Sequence, residues 1–471
     1  MRQNLVHLPA LAEGTIPRNA DSVFAVPVGE CWLIHVPLAG TGALVNESAV
    51  SELRRHTAGL PARIPPALAD LLKSEENPPG PRTGRIEPLF LGLLPTRACN
   101  MACVYCGFGS AHAHEGTMKP ETAVRAIDWA AERAAERGGE TLDVHLFGGE
   151  PLLETELVDI IVHRTRAAAA EHGLAPVLET ATNGTCDETF ARFVGDHFHA
   201  VVVSFDGFRE VQNRCRPMKG GRPSFEKVCR TVRIWRDSPV KLCLRICVTA
   251  DNMSRLGETV DWYASEFQPA VIACETIQST PESRSAGLAP PDPLLFARAF
   301  WEARGRCAKA GIEIGYGASL PARPRATFCP VGQDAVIVSP DGRVSACYME
   351  QRDWQSRGLD LDFGAVDARG VRLDLEALEG IRALARPRGR CERCFCRWSC
   401  AGSCHVTQSF LGCAETYNDM CRQNRLITAC ELLEEMGQGQ LAAWLLEDRS
   451  AAMRLASERD DTLAGWEAHH G

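Results

Sequence analysis

Apolar and polar positions from about residue 88 to residue 318 follow two alternating periods. Short apolar or alternating runs predict strands, and segments with apolar residues three and four apart predict amphipathic helices. The candidate strands are Phe90–Thr96, Thr141–Phe147, Val177–Thr182, Ala200–Phe205, Lys241–Thr249 and Val271–Ile277. The candidate helices are Thr122–Arg137, Leu157–His172, Thr189–His197, Phe225–Trp235, Leu256–Phe267 and Leu294–Lys309. Six strand–helix units in series predict an α/β fold built on a parallel sheet.

The region before this pattern predicts a small α+β unit. Two short strands are expected at Val23–Pro27 and Cys31–Val36, and a helix at Asn46–His56 with Asn46 as its cap. A second short helix is expected at Pro66–Lys73. The run from Glu75 to Pro81 is rich in Pro and contains Gly, which predicts a linker.

The region from residue 321 to residue 430 differs from the alternating region in both periodicity and composition. Regular periodicity fades between residues 321 and 430 while Cys, Gly and Arg become frequent, which is typical of a loop-rich domain stapled by metal. The tail, 431–471, reads as helical around Leu432–Glu435 and Leu441–Leu446. The expected units are therefore 1–85, 88–320, 321–430 and 431–471.

Composition limits the classes of function. A chain of 471 residues is expected to form two or three domains. The net charge of −9 disfavours nucleic acid as a partner. The N-terminus lacks the apolar segment of a signal peptide, and no apolar run is long enough to span a bilayer. We therefore expect a cytoplasmic protein with no membrane and no nucleic-acid partner.

The 21 cysteines are unevenly placed. Three lie between residues 99 and 106, and eight lie between Cys391 and Cys430. Several of the others, such as Cys229, Cys243 and Cys247, sit in periodic patterns and are expected to be small buried hydrophobes. In a large chain without an export signal, such clustering indicates metal or redox chemistry rather than disulfides.

The first cysteine cluster has the spacing CxxxCxxC at Cys99, Cys103 and Cys106, directly after an apolar run. A structural zinc site wants four ligands, and no fourth Cys or His stands at a zinc-finger offset. Three thiolates suffice to hold a [4Fe–4S] cluster by three of its irons. Three unrelated buried thiols, or part of a zinc site, remain alternatives. The motif resembles that of the radical S-adenosylmethionine (SAM) superfamily.

The resemblance implies a partial (β/α)6 barrel with its chemistry at the carboxyl ends of the strands. Four further motifs fall at such ends and resemble the family's SAM-binding elements. Gly148-Gly149-Glu150 would hold the SAM amino group. Thr182 and Asn183, and then Ser204 and Asp206, would approach the ribose. Arg216, with Arg214 as the alternative, would bind the SAM carboxylate, and Tyr105 would pack near the adenine.

The second cysteine cluster resembles the seven-cysteine pattern of SPASM domains in spacing and order. The resemblance implies two auxiliary [4Fe–4S] clusters, for three in all. Cys391, Cys394, Cys400 and Cys421 would ligate the outer one, and Cys329, Cys347 and Cys404 the inner one. Sulfatase-maturating relatives carry a further cysteine just before the position of Cys329, but 322–328 contains none. Either Cys307, Cys396 or Cys413 supplies the fourth ligand, or the site is open. Two zinc knuckles are the alternative to clusters.

The resemblance also implies a function. In this family, reduction of the first cluster cleaves SAM to a 5′-deoxyadenosyl radical, which abstracts hydrogen from a substrate C–H bond. The first hypothesis is a maturase that installs a thioether or carbon–carbon crosslink in a ribosomally made (RiPP) precursor peptide, with flavodoxin or ferredoxin as a low-potential electron donor. The N-terminal unit resembles the RiPP recognition element, which binds a leader peptide as an added strand; a mere extension or dimerisation piece is the alternative. The second hypothesis is a formylglycine-generating sulfatase maturase, and the third is a non-catalytic zinc or iron–sulfur protein.

Overall fold

The structure is a computed structural model, and it describes residues 23–71, 78–108, 116–317, 319, 324–385, 389–406, 418–458 and 460–463. The N-terminus before residue 23, the first part of the expected linker and Cys413 lie outside these residues.

The N-terminal unit is a three-stranded sheet followed by two helices. Its antiparallel strands, in spatial order, are β1 (Phe24–Val28), β2 (Cys31–Val36) and β3 (Thr41–Val45). The helices are α1 (Glu47–Thr57) and α2 (Pro66–Leu71). The Asn46 side chain caps α1 by accepting a hydrogen bond from the Ala49 amide at 2.9 Å. Strand β3 was not expected, because Gly42 and Ala43 give it little strand propensity.

The central unit alternates strands and helices along the chain. The parallel strands are β4 (Leu91–Leu93), β5 (Thr141–Leu146), β6 (Ala175–Thr182), β7 (Ala200–Ser204), β8 (Lys241–Val248), β9 (Val271–Thr276) and β10 (Glu313–Tyr316). The helices are α3 (Pro120–Glu136), α4 (Thr155–Glu171), α5 (Glu188–His197), α6 (Arg209–Cys215), α7 (Phe225–Arg236), α8 (Leu256–Glu266), α9 (Pro281–Ser285) and α10 (Pro293–Lys309). Short 3-10 helices lie at Pro151–Leu153 and Met253–Arg255, and another, Pro37–Ala39, joins β2 to β3 in the N-terminal unit. The predicted fold class, an α/β partial barrel on a parallel sheet, is confirmed. Strand β10 is an addition, since four residues containing Gly315 give too short a pattern to detect.

The region after residue 320 adds strands to the same sheet. These are β11 (Val336–Val338), β12 (Arg343–Ser345), β13 (Asp362–Asp367) and β14 (Gly370–Leu373). Strand β11 pairs in parallel with β4, and the next three pairings are antiparallel. The helices are α11 (Gln351–Gln355), α12 (Leu375–Arg382), α13 (Arg397–Cys400), α14 (Asp419–Glu435), α15 (Gly439–Glu447) and α16 (Arg449–Ser457), with 3-10 turns at Ala383–Ala385 and Gly389–Arg393. The expected loop-rich region is thus partly strand, and α14 runs through the expected boundary at residue 430.

Burial alternates along the barrel strands. In β5, Leu142, Val144 and Leu146 are buried against the helices, while Asp143 and His145 are only half-buried. Because successive side chains point to opposite faces of a strand, the half-buried set faces the barrel interior. Cys243 and Cys247 of β8 belong to this interior set, so unlike the fully buried Cys229 they are not simple core residues.

The chain's C-terminal end covers one edge of the N-terminal sheet. The Ala25 amide donates to the Asp461 carbonyl at 2.7 Å, and Phe24 bridges Thr462 in antiparallel fashion. The Trp444 ring lies against Gly29, where an added Cβ would be 2.8 Å from it. Strand β3 is therefore the sheet edge that this contact leaves uncovered. Among the described residues, no helix is both long and apolar enough to cross a membrane.

Candidate functional site

The loop after β4 carries Cys99, Cys103 and Cys106, which we call the first group. A ribbon of backbone hydrogen bonds joins this loop to the segment after α6. The Ala102 amide donates to Pro217 at 2.8 Å, and the Val104 amide donates to Cys215 at 3.0 Å. The loop is thereby held across the carboxyl end of the barrel, as predicted for a site at the strand ends.

The three thiols of the first group lie close enough to affect one another. Burial raises the pKa of Cys99 to about 11, with smaller contributions from Glu150 and Cys106. Burial also raises the pKa of Cys103 to about 12, with Cys99, Cys106 and Asp206 adding to the effect and Arg216 opposing it. Such thiols ionise when a bound cation compensates their charge. The donor set therefore fits a thiolate-ligated cluster.

Two glycines hold the end of β5 against this loop. A Cβ at Gly149 would lie 2.2 Å from the Arg97 carbonyl oxygen, and one at Gly148 would lie 2.4 Å from that of Thr96. Gly148 also has a φ of +147°, which side-chain-bearing residues rarely adopt. The Gly149 amide donates to Thr96 at 3.1 Å and the Glu150 amide to Ala98 at 2.8 Å. The motif thus requires glycine because the two backbones touch.

Glu150 lies 3% exposed beneath the loop. Its carboxylate accepts hydrogen bonds from the Thr182 hydroxyl at 2.7 Å, the Asn183 amide at 2.6 Å and the Leu152 amide at 3.1 Å. Burial raises the pKa of Glu150 to about 7, against the opposing effect of these hydrogen bonds. Because the carboxylate is buried, a cation that binds beside it would stabilise its charged form.

Asn183 connects the end of β6 to the first group. Its side-chain nitrogen donates to the Asn100 side chain at 2.8 Å and lies 3.7 Å from the Cys99 sulfur. Its side-chain oxygen accepts from the Thr185 amide and hydroxyl at 2.9 and 2.7 Å. Asn183, which the resemblance assigned to SAM, thus contacts the cysteine loop directly, whereas the Thr182 hydroxyl contacts Glu150 and the Gly184 amide.

Asp206 lies in a buried network. Arg216 Nε is 3.0 Å from one carboxylate oxygen, and the Tyr105 hydroxyl donates to the same oxygen. The Cys247 amide donates to the other oxygen at 3.0 Å. The Arg216 guanidinium lies over the Tyr105 ring at 5.2 Å. Both Asp206 oxygens thus have protein partners, while Ser204 is half-buried at the end of β7.

The structure separates the two candidate arginines. Arg216 lies in the network with Asp206, whereas the exposed Arg214 side chain pairs with Asp251. Residues that sequence reasoning missed include Gln212, whose side chain accepts from the Asp206 amide at 2.9 Å, and Asn100. Gln212 is fully buried, and the only available signal was a polar residue on the apolar face of α6.

The outer group, Cys391, Cys394, Cys400 and Cys421, lines a single cavity. Cys396 also lines this cavity, which is partly open to solvent. Burial raises the pKa of Cys400, and the charges of Cys421, Cys391 and Cys394 add to the effect. The four residues that the resemblance assigns to one cluster therefore face one another.

The inner group is Cys329, Cys347 and Cys404. Burial raises the pKa of Cys347 to about 12, and the neighbouring Cys329 and Cys404 thiols raise it further. Of the candidate fourth ligands, Cys307 lies on α10 next to Cys274 in the barrel core, and Cys396 lies in the outer cavity. Cys413 lies outside the described residues.

The backbone between Cys400 and Cys404 divides the two groups. Ala401, Gly402 and Ser403 have φ values of +50°, +79° and +61°. The left-handed backbone conformation is strained for every residue except glycine, so three such residues in a row are unusual. They turn the chain so that Cys400 faces the outer group and Cys404 the inner one.

The residues after Cys347 contact the first group's surroundings. The Tyr348 ring lies 4.7 Å from the Phe147 ring, which directly precedes Gly148. Met349 packs beside Gly107, the residue after Cys106. The inner group is therefore near the barrel mouth. Across the described residues, no three His, Cys, Asp or Glu side chains are grouped to hold one metal ion; in a four-iron cluster each thiolate binds a different iron.

The barrel interior below these groups is polar. His145 Nε2 lies 3.6 Å from a Glu179 carboxylate oxygen, and the Phe90 ring stacks on the imidazole at 4.4 Å. Burial raises the pKa of Glu275, and Arg245 opposes that shift. The inward faces of these strands therefore carry ionisable side chains rather than a purely apolar lining.

Comparisons with known proteins identify sequences and structures that this chain resembles. A family model described as the radical SAM superfamily matches residues 93–263. The Fe-coproporphyrin III synthase of Methanosarcina barkeri (strain Fusaro / DSM 804) is 27% identical over 187 residues, 37% of this chain and 41% of that protein. A cysteine-type anaerobic sulfatase-maturating enzyme of Clostridium perfringens (strain 13 / Type A) is 27% identical over 187 residues, 38% of this chain and 49% of that protein. The chain thus spans less than half the length of these curated relatives.

One solved structure shares the fold over a larger part of the chain. It is described as native anSMEcpe with bound AdoMet and Cp18Cys peptide. Its TM-score is 0.57 at 18% identity, and the match covers 76% of this chain and 99% of that one. At this identity the likeness concerns the fold alone.

Replacing Gly149 by alanine tests the close contact between the two backbones. The new Cβ would clash with carbonyl oxygens of Arg97 and Ala98, so we expect a loss of about 1–3 kcal/mol of stability and a thermal midpoint lower by several degrees. Gly305→Ala is the matched control, because its Cβ meets nothing within 4 Å. A Gly149→Ala midpoint equal to that of the wild type would contradict the packing argument.

Proposed function

We propose that the chain, whose residues 93–263 match the family model of the radical SAM superfamily, is a SPASM-type peptide maturase. It uses a 5′-deoxyadenosyl radical to abstract hydrogen from a ribosomally made precursor peptide and installs an oxidative thioether or carbon–carbon crosslink. The observation that carries the proposal is the cavity lined by all four outer cysteines, in a chain that also has the first and inner groups. A radical SAM domain without auxiliary clusters would need only the cysteines of the first group, so the other two groups favour a SPASM-type enzyme.

The first group and the surrounding carboxylates supply the SAM site. We assign Cys99, Cys103 and Cys106 to three irons of the cluster; when bound, it supplies one-electron reduction of the SAM sulfonium. Glu150 receives the SAM ammonium, and Ser204 faces the ribose. Arg216 forms an ion pair with Asp206 in which Nε lies nearest the carboxylate, so we assign its terminal nitrogens to the SAM carboxylate. Asp206 acts by holding Arg216 and Tyr105 rather than by contacting SAM.

The inner and outer groups supply a path for oxidation. A crosslink that removes two hydrogens from a peptide leaves an electron that must depart from the product radical. Contacts from Tyr348 to Phe147 and from Met349 to Gly107 support a short path from the barrel mouth to the inner group. The outer cysteines would hold a second auxiliary cluster, which would supply one-electron chemistry for exchange with an external carrier such as flavodoxin or ferredoxin.

The N-terminal unit is proposed to bind the leader part of the peptide. Added-strand recognition needs an open sheet edge. The C-terminal residues Asp461 and Thr462 already cover β1, so β3 is the edge assigned to the peptide. Its residues Gly42 to Val45 are half-buried, which leaves side chains partly accessible to a partner.

A formylglycine-generating sulfatase maturase is the second candidate. The 27% identity to the enzyme of Clostridium perfringens favours it. The N-terminal unit and the absence of cysteine from 322–328 oppose it. The two candidates share the first step and differ in whether the substrate is a short peptide or a sulfatase.

Simultaneous replacement of Cys99, Cys103 and Cys106 by alanine should remove about 4 of about 12 irons per chain. It should also abolish formation of 5′-deoxyadenosine, because no other described cysteine group adjoins Glu150 and Arg216. Iron analysis and chromatography of SAM products measure both effects. Cys31→Ala, in β2, is the control and should change neither. Continued 5′-deoxyadenosine production by the triple variant would exclude the assignment, and zinc with little iron in the wild type would favour the non-catalytic alternative.

SAM affinity should depend on pH through Glu150. Its pKa of about 7 means that a proton competes with the SAM ammonium as pH falls below 7. The dissociation constant, measured anaerobically, should rise about tenfold per pH unit below that value. Glu150→Gln should bind SAM weakly with a flat pH profile, whereas the exposed Glu156→Gln should behave as the wild type. Identical profiles for wild type and Glu150→Gln would remove Glu150 from the site.

Co-expression with a short reading frame from beside the gene tests the substrate. We expect a loss of two hydrogens per event, localised by fragmentation mass spectrometry to a pair of residues. A peptide lacking its N-terminal half should be modified poorly, since its added strand at β3 would be lost. Unmodified peptide from a preparation that cleaves SAM would contradict the peptide maturase and favour a folded protein as substrate.

A further inference from the structure

Three side chains donate hydrogen bonds toward sulfurs of the outer group. Arg425 Nη1 lies 3.3 Å from the Cys394 sulfur, and Asn424 Nδ2 lies 3.2 Å from the Cys400 sulfur. Arg390 Nη2 lies 3.6 Å from the Cys421 sulfur. Three of the four thiols thus have a separate side-chain donor, and two of the donors carry positive charge.

Arg425 is held rigidly in this position. Its side chain is 1% exposed and that of its partner Asp461 is 0% exposed. Arg425 Nη2 lies 2.8 Å from Asp461, and Nε and Nη2 donate to the Leu455 carbonyl at 3.0 and 2.7 Å. The guanidinium also lies 4.8 Å from the centre of the Phe395 ring. These contacts fix the nitrogen that approaches Cys394.

Asp461 is in turn fixed by the backbone around the outer group. Its carboxylate accepts from the Phe395 amide at 2.9 Å, and its own amide donates to the Arg393 carbonyl at 2.9 Å. Both partners lie between cysteines of the outer group or next to one. The ion pair is therefore built into the cysteine loop rather than attached to its surface.

A cluster with four thiolate ligands becomes more negative when it is reduced. Hydrogen bonds to the sulfurs and nearby positive charge stabilise the more negative state and raise the reduction potential. Arginine stays protonated even when buried, so its charge does not depend on pH. A buried ion pair is by itself a poor source of stability, but this one holds a positively charged nitrogen 3.3 Å from the Cys394 sulfur.

We propose that Asn424, Arg425 and Arg390 are positioning residues that raise the reduction potential of the cluster bound by the outer group. This inference rests on the proposed function, because it takes the outer group to hold a cluster. The residues do not ligate iron; they act through the sulfurs that do.

Redox titration of the iron-loaded full chain, followed by electron paramagnetic resonance, tests the proposal. Asn424→Leu removes a donor without changing charge, and Arg390→Gln removes a donor and a charge. Each should lower the midpoint potential of one cluster. The expected decrease is about 59 mV, which corresponds to a tenfold change in the equilibrium constant of a one-electron reduction. The other two midpoints should stay unchanged. Arg425→Lys keeps the charge but loses the directed contact, and it should give a smaller decrease.

The control is Arg422→Gln on the same helix, α14. Arg422 is 35% exposed and pairs with Asp419 at 3.2 Å, so its replacement should leave all midpoints unchanged. Unchanged midpoints in both Asn424→Leu and Arg390→Gln, at wild-type iron content, would overturn the proposal. Loss of about 4 irons in those variants would also overturn it, because the side chains would then serve cluster assembly. A wild-type chain with about 8 irons would instead contradict the proposed function.

Discussion

The contact between Gly148–Gly149 and the carbonyls of residues 96–98 is the constraint on which the site depends. A strand end and a loop approach so closely that a methyl group at Gly149 would overlap a carbonyl oxygen. The contact fixes the loop that leads into Cys99, and Asn183 fixes the same loop from the next strand. The pairing of strands in the barrel therefore positions the loop that carries the thiols.

Around this contact, acidic side chains and thiols outnumber basic side chains. Glu150 and Asp206 are buried on either side of the first group, and both raise the pKa of its thiols. Arg216 is the neighbouring cation that opposes the effect at Cys103. A site with buried carboxylates and thiols but one arginine is stabilised by added positive charge, such as iron, an ammonium or a sulfonium. The same electrostatics thus favour cationic ligands at this site.

Sequence patterns predicted the barrel elements closely because these are long and periodic. Helix α10 was expected at Leu294–Lys309 and begins one residue earlier, at Pro293. Strands β3, β10 and β11 escaped detection because they are three to five residues long and their pairing is decided by tertiary contacts. Motif order predicted which residues gather at the strand ends. It did not predict that Asp206 would pair with Arg216, since that contact joins β7 to the segment after α6 and depends on how α6 turns the chain.

The C-terminal residues connect units that the sequence pattern separated. Asp461 holds Arg425 through its carboxylate while its carbonyl pairs with Ala25 in β1. Burying both charges carries a desolvation cost of several kcal/mol per ion, which the ion pair and its hydrogen bonds only roughly offset. Removing either partner would leave an uncompensated charge beside Cys394 and would loosen the edge of the N-terminal sheet. The outer cysteine group and the N-terminal sheet are therefore coupled through one buried residue, Asp461, so a change in either has a direct physical route to the other.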